Sequence, residues 1–374
     1  MDMVMKKHVI KDVKVHLVSY RVKGGFSDAT RQGEVVGYCI VRVILDDGME
    51  GFGITYHEVG GEATKMMIEH DIAPKIIGRD PFETEVLWNE IMGYLRGVGR
   101  KGLMLCALSA VDIALWDLKG KIIGLPLYRM FGGTQTKIPV YGSGGWTSYD
   151  DDELVAEMLK LKEQGYSMIK FKVGVEGGHN TRRDLLRVRK VRDAVGPEMR
   201  LMLDANGCWD AATGAQFANQ VKEYDIMFLE EPVFADDLPG LIKYKQSTDL
   251  PLATGEQEYT RYGARDLLIN GAADIVQLEG TRAGGFTEML KIGHLTQAFN
   301  VKFAPHAMEN LHIHLVSAFN NALFLERLLI FEEIAANVYI DAPKPINGYM
   351  YIPENKPGLG LDLNMDFIRE HDEK

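Results

Sequence analysis

The sequence has few cysteines and no long apolar run. Its three cysteines, Cys39, Cys106 and Cys208, lie far apart and match no CxxC spacing, so they indicate reduced thiols of a cytoplasmic protein. No apolar run approaches the roughly 18 residues that a membrane span requires. Residues 1–14 are polar and lack the apolar core of a signal peptide. We therefore expect a cytoplasmic protein without a membrane partner.

Positive charge is also in deficit. The 42 lysines and arginines face 53 acidic residues, which gives a net charge of −11. A general nucleic-acid binder must neutralise phosphates, so nucleic acid is not an expected partner. A small anionic substrate is compatible with this charge, because a few lysines in a cleft can override the overall field. The 374 residues, 46% of them hydrophobic, predict one large or two ordinary globular domains.

Residues 1–130 have the pattern of an α+β domain. From His8 to Ile54 apolar and polar residues alternate as in β-strands, and Asp46-Asp47-Gly48 predicts a hairpin turn. Residues 60–127 are predicted to be helical. Between the first strands, the glycine-rich stretch Lys23–Asp28 is expected to form a mobile loop.

A different rhythm begins after Ile138, where short apolar strands alternate with amphipathic helices. Seven such repeats are followed by an eighth short strand near Phe324–Glu326. Apolar strands separated by helices are typical of a parallel sheet covered on both faces, and this number favours a closed barrel over an open Rossmann sheet. The predicted fold class is α/β, with a barrel over residues 131–340. Residues 341–374 are rich in proline and glycine and are expected to return to the first domain.

The carboxyl ends of barrel strands converge on one face, where the active site of such a fold lies. Several predicted strands end in polar residues there, and Glu326 follows the last helix. The strand-end residues are Lys170 and Lys172, Asp204 and Asn206, Glu230 and Glu231, Glu256, and His306.

Three of these acids, Asp204, Glu230 and Glu256, are separated by 26 residues each time. Three carboxylates that meet would repel one another unless they share a cation. A ligand set made only of oxygens suits Mg²⁺, or Mn²⁺, better than zinc. The alternative is that each acid is a solvated residue at the end of its strand.

Such a cation would explain the neighbouring bases. A proton α to a carboxylate is weakly acidic, and its removal requires stabilisation of a dianionic enolate by a metal ion and ammonium groups. Lys172 is expected to have a depressed pKa and to act as base, and His306 approaches from the opposite side as a second acid or base. The alternatives are a solvated pair of lysines and a structural histidine. His312 and His314 lie in a predicted helix, two residues apart, and do not face one ligand.

These motifs, taken together, resemble the mandelate racemase / muconate lactonizing group of the enolase superfamily over essentially the whole chain. The matching segments are Lys170-Phe171-Lys172, Asp204-Ala205-Asn206, Leu229-Glu230-Glu231-Pro232, Gly255-Glu256, Gln277-Leu278-Glu279, Gly284-Gly285 and Pro305-His306. A histidine 50 residues beyond the third acid is the arrangement similar to mandelate racemase, whereas muconate lactonizing enzymes place a lysine on the strand occupied here by 277–279.

The resemblance implies a modified (β/α)7β TIM barrel with an N-terminal capping domain, and a homo-oligomer. It implies that Asp204, Glu230 and Glu256 are the Mg²⁺ ligands and that Lys172 and His306 are the opposing acid/base groups. Lys170 would hold the substrate carboxylate, Glu326 would contact a carboxylate or enolate oxygen, and Asn206 would bind substrate.

In one position the chain departs from this family. Glu279 stands where an aspartate usually orients the catalytic histidine. A glutamate could make the same hydrogen bond with a reach one carbon longer, or the pair could be altered. From the first domain, the loops around His57 and Lys23–Arg31 resemble specificity loops that close over the substrate. Their polar residues suggest a polyhydroxylated ligand, and His57 is assigned to substrate binding.

We therefore expect a Mg²⁺-dependent enzyme that removes the proton α to a carboxylate. The favoured reaction is dehydration of an acid sugar, an aldonate or aldarate, to a 2-keto-3-deoxy acid. One alternative is a racemase or epimerase of a 2-hydroxy acid on the same site. Another is a catalytically silent binding protein on this scaffold.

Overall fold

The computed structural model describes residues 8–373; the predictions for residues 1–7 and 374 lie outside this range. The N-terminal part contains one antiparallel sheet in the order β1-β2-β3. Its strands are β1 (Ile10–Ser27), β2 (Gln32–Leu45) and β3 (Glu50–His57). The hairpin between β2 and β3 turns at Asp46-Asp47-Gly48, as the sequence predicts, and Gly48 there has a φ of 86°.

Residues 23–27 form the end of β1, and the prediction of a mobile loop over 23–28 is wrong. The strand register shifts between Arg21 and Phe26, so Gly24 and Gly25 are accommodated in an irregular stretch of the β1–β2 pairing. Phe26 is buried, and its ring lies 6.0 Å from that of Trp146. This contact fixes the end of β1 against the barrel.

Five α-helices of the described chain follow the sheet before the barrel begins, and a π-helical segment (Ile68–Ile72) joins the first two. They are α1 (Gly61–Met67), α2 (Ala73–Ile76), α3 (Thr84–Tyr94), α4 (Leu103–Ile123) and α5 (Leu127–Met130). The long helix α4 lies directly on β3, because Gly51 and Gly53 leave no side chain between them. A Cβ at Gly53 would come within 2.0 Å of the Ala110 carbonyl oxygen. This close contact sets where the end of β3 meets the barrel.

Eight parallel strands build the barrel. Their order in the sheet is β10-β9-β8-β7-β6-β5-β4-β11. Strands β4 to β10 therefore lie side by side in chain order, and the last strand, β11, pairs with the first, β4. They are β4 (Lys137–Gly144), β5 (Met168–Lys172), β6 (Arg200–Asp204), β7 (Ile226–Glu230), β8 (Leu252–Thr254), β9 (Ile275–Val276), β10 (Lys302–Phe303) and β11 (Leu325–Leu328). The ring closes where Phe303 donates to Asn321 O (3.1 Å) and accepts from Leu323 N (2.9 Å). The predicted α/β barrel is thus confirmed.

Helices follow the strands around the outside of this barrel. They are α6 (Asp151–Glu163), α7 (Thr181–Val195), α8 (Ala211–Val221), α9 (Leu238–Ser247), α10 (Thr260–Ile269), α11 (Gly285–Ala298), α12 (Glu309–Ala318) and α13 (Glu332–Val338). A buried apolar layer fills the interior of the barrel and includes Met202, Phe228 and Phe324. The polar strand ends described below lie next to this layer. No helix within residues 8–373 has the length and apolarity to cross a membrane.

The C-terminal segment returns to the N-terminal part of the chain. It contains β12 (Tyr339–Ile340), β13 (Tyr349–Tyr351), β14 (Asp362–Leu363) and α14 (Met365–His371). Asp372 accepts a hydrogen bond from Leu17 N (2.9 Å) and bonds to His16 Nδ1 (2.7 Å). On α4, the buried Asp117 accepts from Phe52 N (2.9 Å) and from Leu359 N (2.8 Å). One carboxylate therefore joins the N-terminal sheet, α4 and the C-terminal segment.

Removing that carboxylate is expected to destabilise the protein strongly. Asp117→Ala leaves two buried N–H donors without an acceptor, and each such donor costs about 1–3 kcal/mol. We expect the free energy of unfolding to fall by about 3 kcal/mol, measured by urea denaturation and by faster proteolysis of the C-terminal segment. The control is Asp366→Ala, whose side chain is 98% exposed. Equal midpoints for the two variants would contradict this assignment.

Candidate active site

Three carboxylates meet at the carboxyl end of the barrel. Asp204 is the last residue of β6, Glu230 is the last residue of β7, and Glu256 follows β8 by two residues. The parallel register places Asp204 beside Glu230 and beside Lys172 of β5. A ligand oxygen from each acid lies within 4.8 Å of the other two, and all three side chains are buried.

The electrostatics of this cluster fit a divalent cation. Burial and the neighbouring carboxylates, Asp204 first among them, raise the pKa of Glu256 to about 7, and similar causes raise that of Glu230. Glu230 Oε1 is buried without a hydrogen-bond partner in the described structure. Hard oxygen donors carrying excess negative charge are the ligands that Mg²⁺ prefers. Asp204, Glu230 and Glu256 are therefore suited to hold it, as the sequence predicts.

Two lysines of β5 point into the same cluster because they are two residues apart on one strand. Lys170 Nζ lies 2.5 Å from Glu230 Oε2 and 2.8 Å from Glu326 Oε1 of β11. Lys172 Nζ is in contact with Asp204 Oδ2. Each ammonium group thus pairs with a carboxylate.

The pKa of Lys172 differs from the sequence-based expectation. Burial acts to lower it, but attraction to Asp204, with weaker contributions from Glu256 and Glu230, raises the pKa above its usual range. The prediction of a depressed pKa counted the charge of a bound cation as well as that of Lys170, and it stays a prediction for the metal-bound site. Among the groups of the chain itself, the attraction of Asp204 outweighs the repulsion from Lys170.

His306 follows β10 and lies on the opposite side of the cluster from Lys172. Its Nε2 is 3.0 Å from Glu256 Oε2 and 4.0 Å from Glu326 Oε2. Burial, reinforced by the cations Arg282 and Lys170, holds the pKa of His306 well below its usual value. The ring is therefore neutral near pH 7 and able to accept a proton. Glu326 also accepts from Ala307 N (3.0 Å), which fixes the backbone next to His306.

Glu279 is not positioned to orient His306. Its carboxylate accepts from Thr281 N (2.8 Å) and from Thr281 Oγ1 (2.7 Å), and it lies 3.5 Å from His312 Nε2. His306 Nδ1 is buried without a partner among the described residues. Of the two possibilities left open by the sequence, the structure favours the altered pair over a glutamate that replaces the aspartate, because the turn after Glu279 uses its carboxylate as an internal acceptor.

His57 requires a second correction. Its ring packs against the backbone of Gly37 and Gly61, and Nε2 has no hydrogen-bond partner in the described structure. Its neighbours on either side, Tyr56 and Glu58, face the barrel instead, since successive residues of a strand point to opposite faces. The assignment of His57 to substrate binding is therefore wrong, because its side chain points away from the cluster, whereas Tyr56 lies near His306.

Asn206 lies at the edge of the cluster. Its backbone N–H donates to Asp204 Oδ1 (3.0 Å), and its side-chain Oδ1 is buried without a partner in the described structure. The amide is thus free to bind a ligand beside the three acids. The position of Asn206 is compatible with substrate binding, and this role stays a prediction.

Other residues of the site did not emerge from sequence reasoning. Gln277 donates to Glu230 Oε2 (2.8 Å) and so helps to fix that acid. Arg282 donates to the Glu256 carbonyl oxygen (3.1 Å) and contacts the Tyr56 hydroxyl. Burial and the positive charge of Arg31 lower the pKa of Arg282 to about 9. Both residues lie in the segment 277–285, whose motif resembles the family, but the sequence pattern alone gave no role to Gln277 or Arg282.

The N-terminal part covers the cluster with an ion-pair group. Arg31 lies 2.9 Å from Asp28 Oδ2 and is also in contact with Glu58. The pKa of Asp28 is lowered although burial acts to raise it, because Lys172, Thr30 N–H and Arg31 stabilise its carboxylate. Charges on the cover therefore interact directly with the proposed base.

His312 and His314, set aside in the sequence analysis, are buried structural residues of α12. His312 Nδ1 bonds to Ala307 O (2.8 Å) while its Nε2 accepts from Gly280 N (2.9 Å). His314 Nε2 bonds to Leu359 O (3.0 Å). Burial lowers the pKa of each to about 4, so both rings are neutral.

Comparison with known proteins covers both parts of the chain. Residues 13–132 match the mandelate racemase / muconate lactonizing enzyme N-terminal domain, and residues 153–367 match the enolase C-terminal domain-like family. The chain is 31% identical to L-talarate/galactarate dehydratase of Salmonella typhimurium over 330 residues, 88% of this chain and 81% of that protein. It is 33% identical to L-rhamnonate dehydratase of Saccharopolyspora erythraea, with 90% and 86% covered.

Among solved structures, a racemase from Streptomyces coelicolor with bound magnesium superposes with a TM-score of 0.92. It is 27% identical, and the match covers 98% of this chain and 100% of that one. Bound magnesium in this neighbour agrees with the chemistry of the three acids described above.

Magnesium binding is expected to depend on Glu230. Glu230→Gln keeps the shape of the side chain but removes one of three converging charges, and we expect at least a tenfold loss of Mg²⁺ affinity by calorimetry. Mg²⁺ should also raise the Tm of the unmodified protein, because a ligand that binds only the folded state stabilises it. Glu354→Gln, at an exposed position, is the matched control. Unchanged Mg²⁺ affinity in Glu230→Gln would contradict the ligand assignment.

Proposed function

The chain belongs to the mandelate racemase / muconate lactonizing enzyme group of the enolase superfamily, and from that premise we propose that it is a Mg²⁺-dependent dehydratase of an acid sugar. Its substrate would be an aldonate or aldarate and its product a 2-keto-3-deoxy acid. Both relatives named above are sugar-acid dehydratases. We further propose a small carboxylate as its ligand and a homo-oligomer as its assembly.

One observation carries this proposal. Lys172 and His306 flank the three acids from opposite sides, one in contact with Asp204 and the other 3.0 Å from Glu256. A substrate placed between them would present the hydrogen on its α-carbon to one group or the other. One such group beside a cation site can remove the α-proton, and the group on the other side is placed to deliver a proton.

The remaining residues of the site bind and orient. Lys170, held by Glu230 and Glu326, is placed to bind the substrate carboxylate, and Asn206 has a free amide oxygen for a hydroxyl. When bound by the three acids, Mg²⁺ supplies positive charge that lowers the energy of the enolate. The cover formed by Asp28, Arg31 and Glu58 excludes water from the reacting carbon.

The elimination itself needs one proton removed and one delivered. The C2–H bond breaks towards the neutral ring of His306, or towards Lys172 after its ammonium group has released a proton to solvent, whichever the C2 configuration faces. Its electron pair enters the enolate. The C3–O bond then breaks and the hydroxyl leaves as water, with its proton supplied by His306. When His306 has taken the α-proton, its ring passes the same proton on and the Lys172 ammonium group stabilises the enolate. When Lys172 has taken it, His306 passes on a proton drawn from solvent. The enol product tautomerises to the 2-keto-3-deoxy acid.

A racemase or epimerase is the second candidate, and the same opposed pair favours it. Deprotonation on one face and reprotonation on the other needs both groups and no leaving hydroxyl. The similar structure from Streptomyces coelicolor, which contains bound magnesium, is described as a racemase. Retention of all three acids and both lysines argues against the third alternative, a catalytically silent binding protein.

The experiment that tests the proposal is a substrate screen. The purified protein with Mg²⁺ is incubated with a library of monoacid and diacid sugars, and 2-keto acids are detected. A keto product from at least one sugar supports the dehydratase. Absence of product from a library that is turned over by an authentic sugar-acid dehydratase would overturn the proposal in favour of one of the two alternatives.

Both proton-transfer groups are expected to be essential for turnover. Lys172→Ala and His306→Asn should each abolish the formation of product from the sugar found in the screen, because each removes one group while leaving the other in place. Circular dichroism and Mg²⁺ affinity should remain close to those of the unmodified protein. Lys302→Ala, at an exposed position on β10, is the control. Near-normal activity in either site variant would contradict the two-sided mechanism.

A further inference from the structure

Arg282 is the cation of this site that the mechanism above does not use. It lies between β9 and α11, and its side chain is 14% exposed. Nη1 donates to the Glu256 carbonyl oxygen (3.1 Å) and Nη2 contacts the Tyr56 hydroxyl. The guanidinium also lies over the Tyr56 ring, 4.6 Å from its centroid. The group is therefore fixed in place by neutral partners.

Within residues 8–373, its positive charge has no carboxylate oxygen closer than 4.0 Å. Lys170, Lys172 and Arg31 each have a carboxylate oxygen within 3 Å. The carboxylate nearest to Arg282 among the described residues is that of Glu279, 4.0 Å from Nε, and it already accepts two hydrogen bonds from Thr281. A largely buried charge whose nearest carboxylate lies 4.0 Å away and already accepts two other hydrogen bonds is poorly compensated, and a ligand of opposite charge would compensate it.

The position of Arg282 relative to the reacting centre suggests which ligand group this is. Tyr56, which holds the guanidinium, lies 6.4 Å from the His306 ring between centroids, so Arg282 lies on the His306 side of the cluster and faces the covering domain. The carboxylate that activates the substrate belongs at the other end, near Lys170. A six-carbon acid extended from there spans roughly 6 Å, given C–C bonds of about 1.5 Å.

We propose that Arg282 binds the distal carboxylate of a diacid, so that the substrate of this enzyme is an aldarate rather than an aldonate. The planar guanidinium offers paired N–H donors that match a carboxylate, whereas a terminal hydroxymethyl group would leave its charge unpaired. This inference rests on the proposed function, since it places the reacting end of the substrate at the three acids.

Matched pairs of sugars test it. Galactarate and D-galactonate, and D-glucarate and D-gluconate, share their hydroxyl configurations and differ only in a carboxylate or hydroxymethyl group at C6. With Mg²⁺ present, the unmodified enzyme should favour a diacid by at least tenfold in kcat/KM. Arg282→Gln should lose most of this preference by reducing kcat/KM for the diacid, with a smaller effect on the monoacid. Arg282→Lys should recover part of it, since the charge returns without the paired donors.

A binding measurement separates this inference from the proposed function. Calorimetry with the same four sugars is performed on His306→Asn, alone and combined with Arg282→Gln, so that no turnover is required. Diacid affinity should fall at least tenfold in the double variant and monoacid affinity much less. Arg265→Gln, an exposed arginine paired with Asp266, is the control. An equal loss for both acids, or a monoacid preference in the unmodified protein, would overturn the inference. Failure of every sugar to react, with diacid binding intact, would overturn the proposed function alone.

Discussion

Repulsion among three buried carboxylates is the constraint on which this site depends. Asp204, Glu230 and Glu256 are brought together by the register of successive parallel strands, and their charges oppose that arrangement. The surrounding residues reduce this repulsion, because Lys170 and Lys172 form ion pairs with two of the acids and Gln277 donates a hydrogen bond to Glu230. A shared divalent cation would complete the balance, and in the proposed reaction it provides the charge that makes an α-proton removable.

The barrel and the N-terminal part contribute different things. Strand ends of the barrel supply the acids, Lys172 and His306. The N-terminal sheet supplies the cover through Tyr56, Glu58 and Arg31. Helix α4 packs directly on β3, and Asp117 of α4 accepts hydrogen bonds from β3 and from the C-terminal segment. These contacts support the covering residues on the side away from the site. The barrel thus supplies the acids and the proton-transfer groups, and the N-terminal sheet supplies the residues that cover them.

Sequence patterns predicted the fold and most of the site, for a physical reason. The barrel strands are short and apolar, and polar residues whose burial is unfavourable stand at or just after the ends of several of them. The order of strands therefore placed Asp204, Glu230, Glu256 and His306 on one face of the barrel. What failed depended on side-chain direction: Glu279 turns to Thr281, and His57 points to the opposite face of its strand from Tyr56. The role of Arg282 depends on which groups surround it, and this is visible only in three dimensions.

Removal of the α-proton is the central claim, and its most direct test is the reaction in D₂O followed by proton NMR. An acid sugar is incubated with the enzyme and Mg²⁺, and with EDTA in the control. The account predicts that the C2–H signal disappears only with Mg²⁺ and that the 2-keto-3-deoxy product carries one deuterium at C3, taken up when the enol tautomerises. An unchanged C2–H signal for every acid sugar that binds, with Mg²⁺ present, would contradict it.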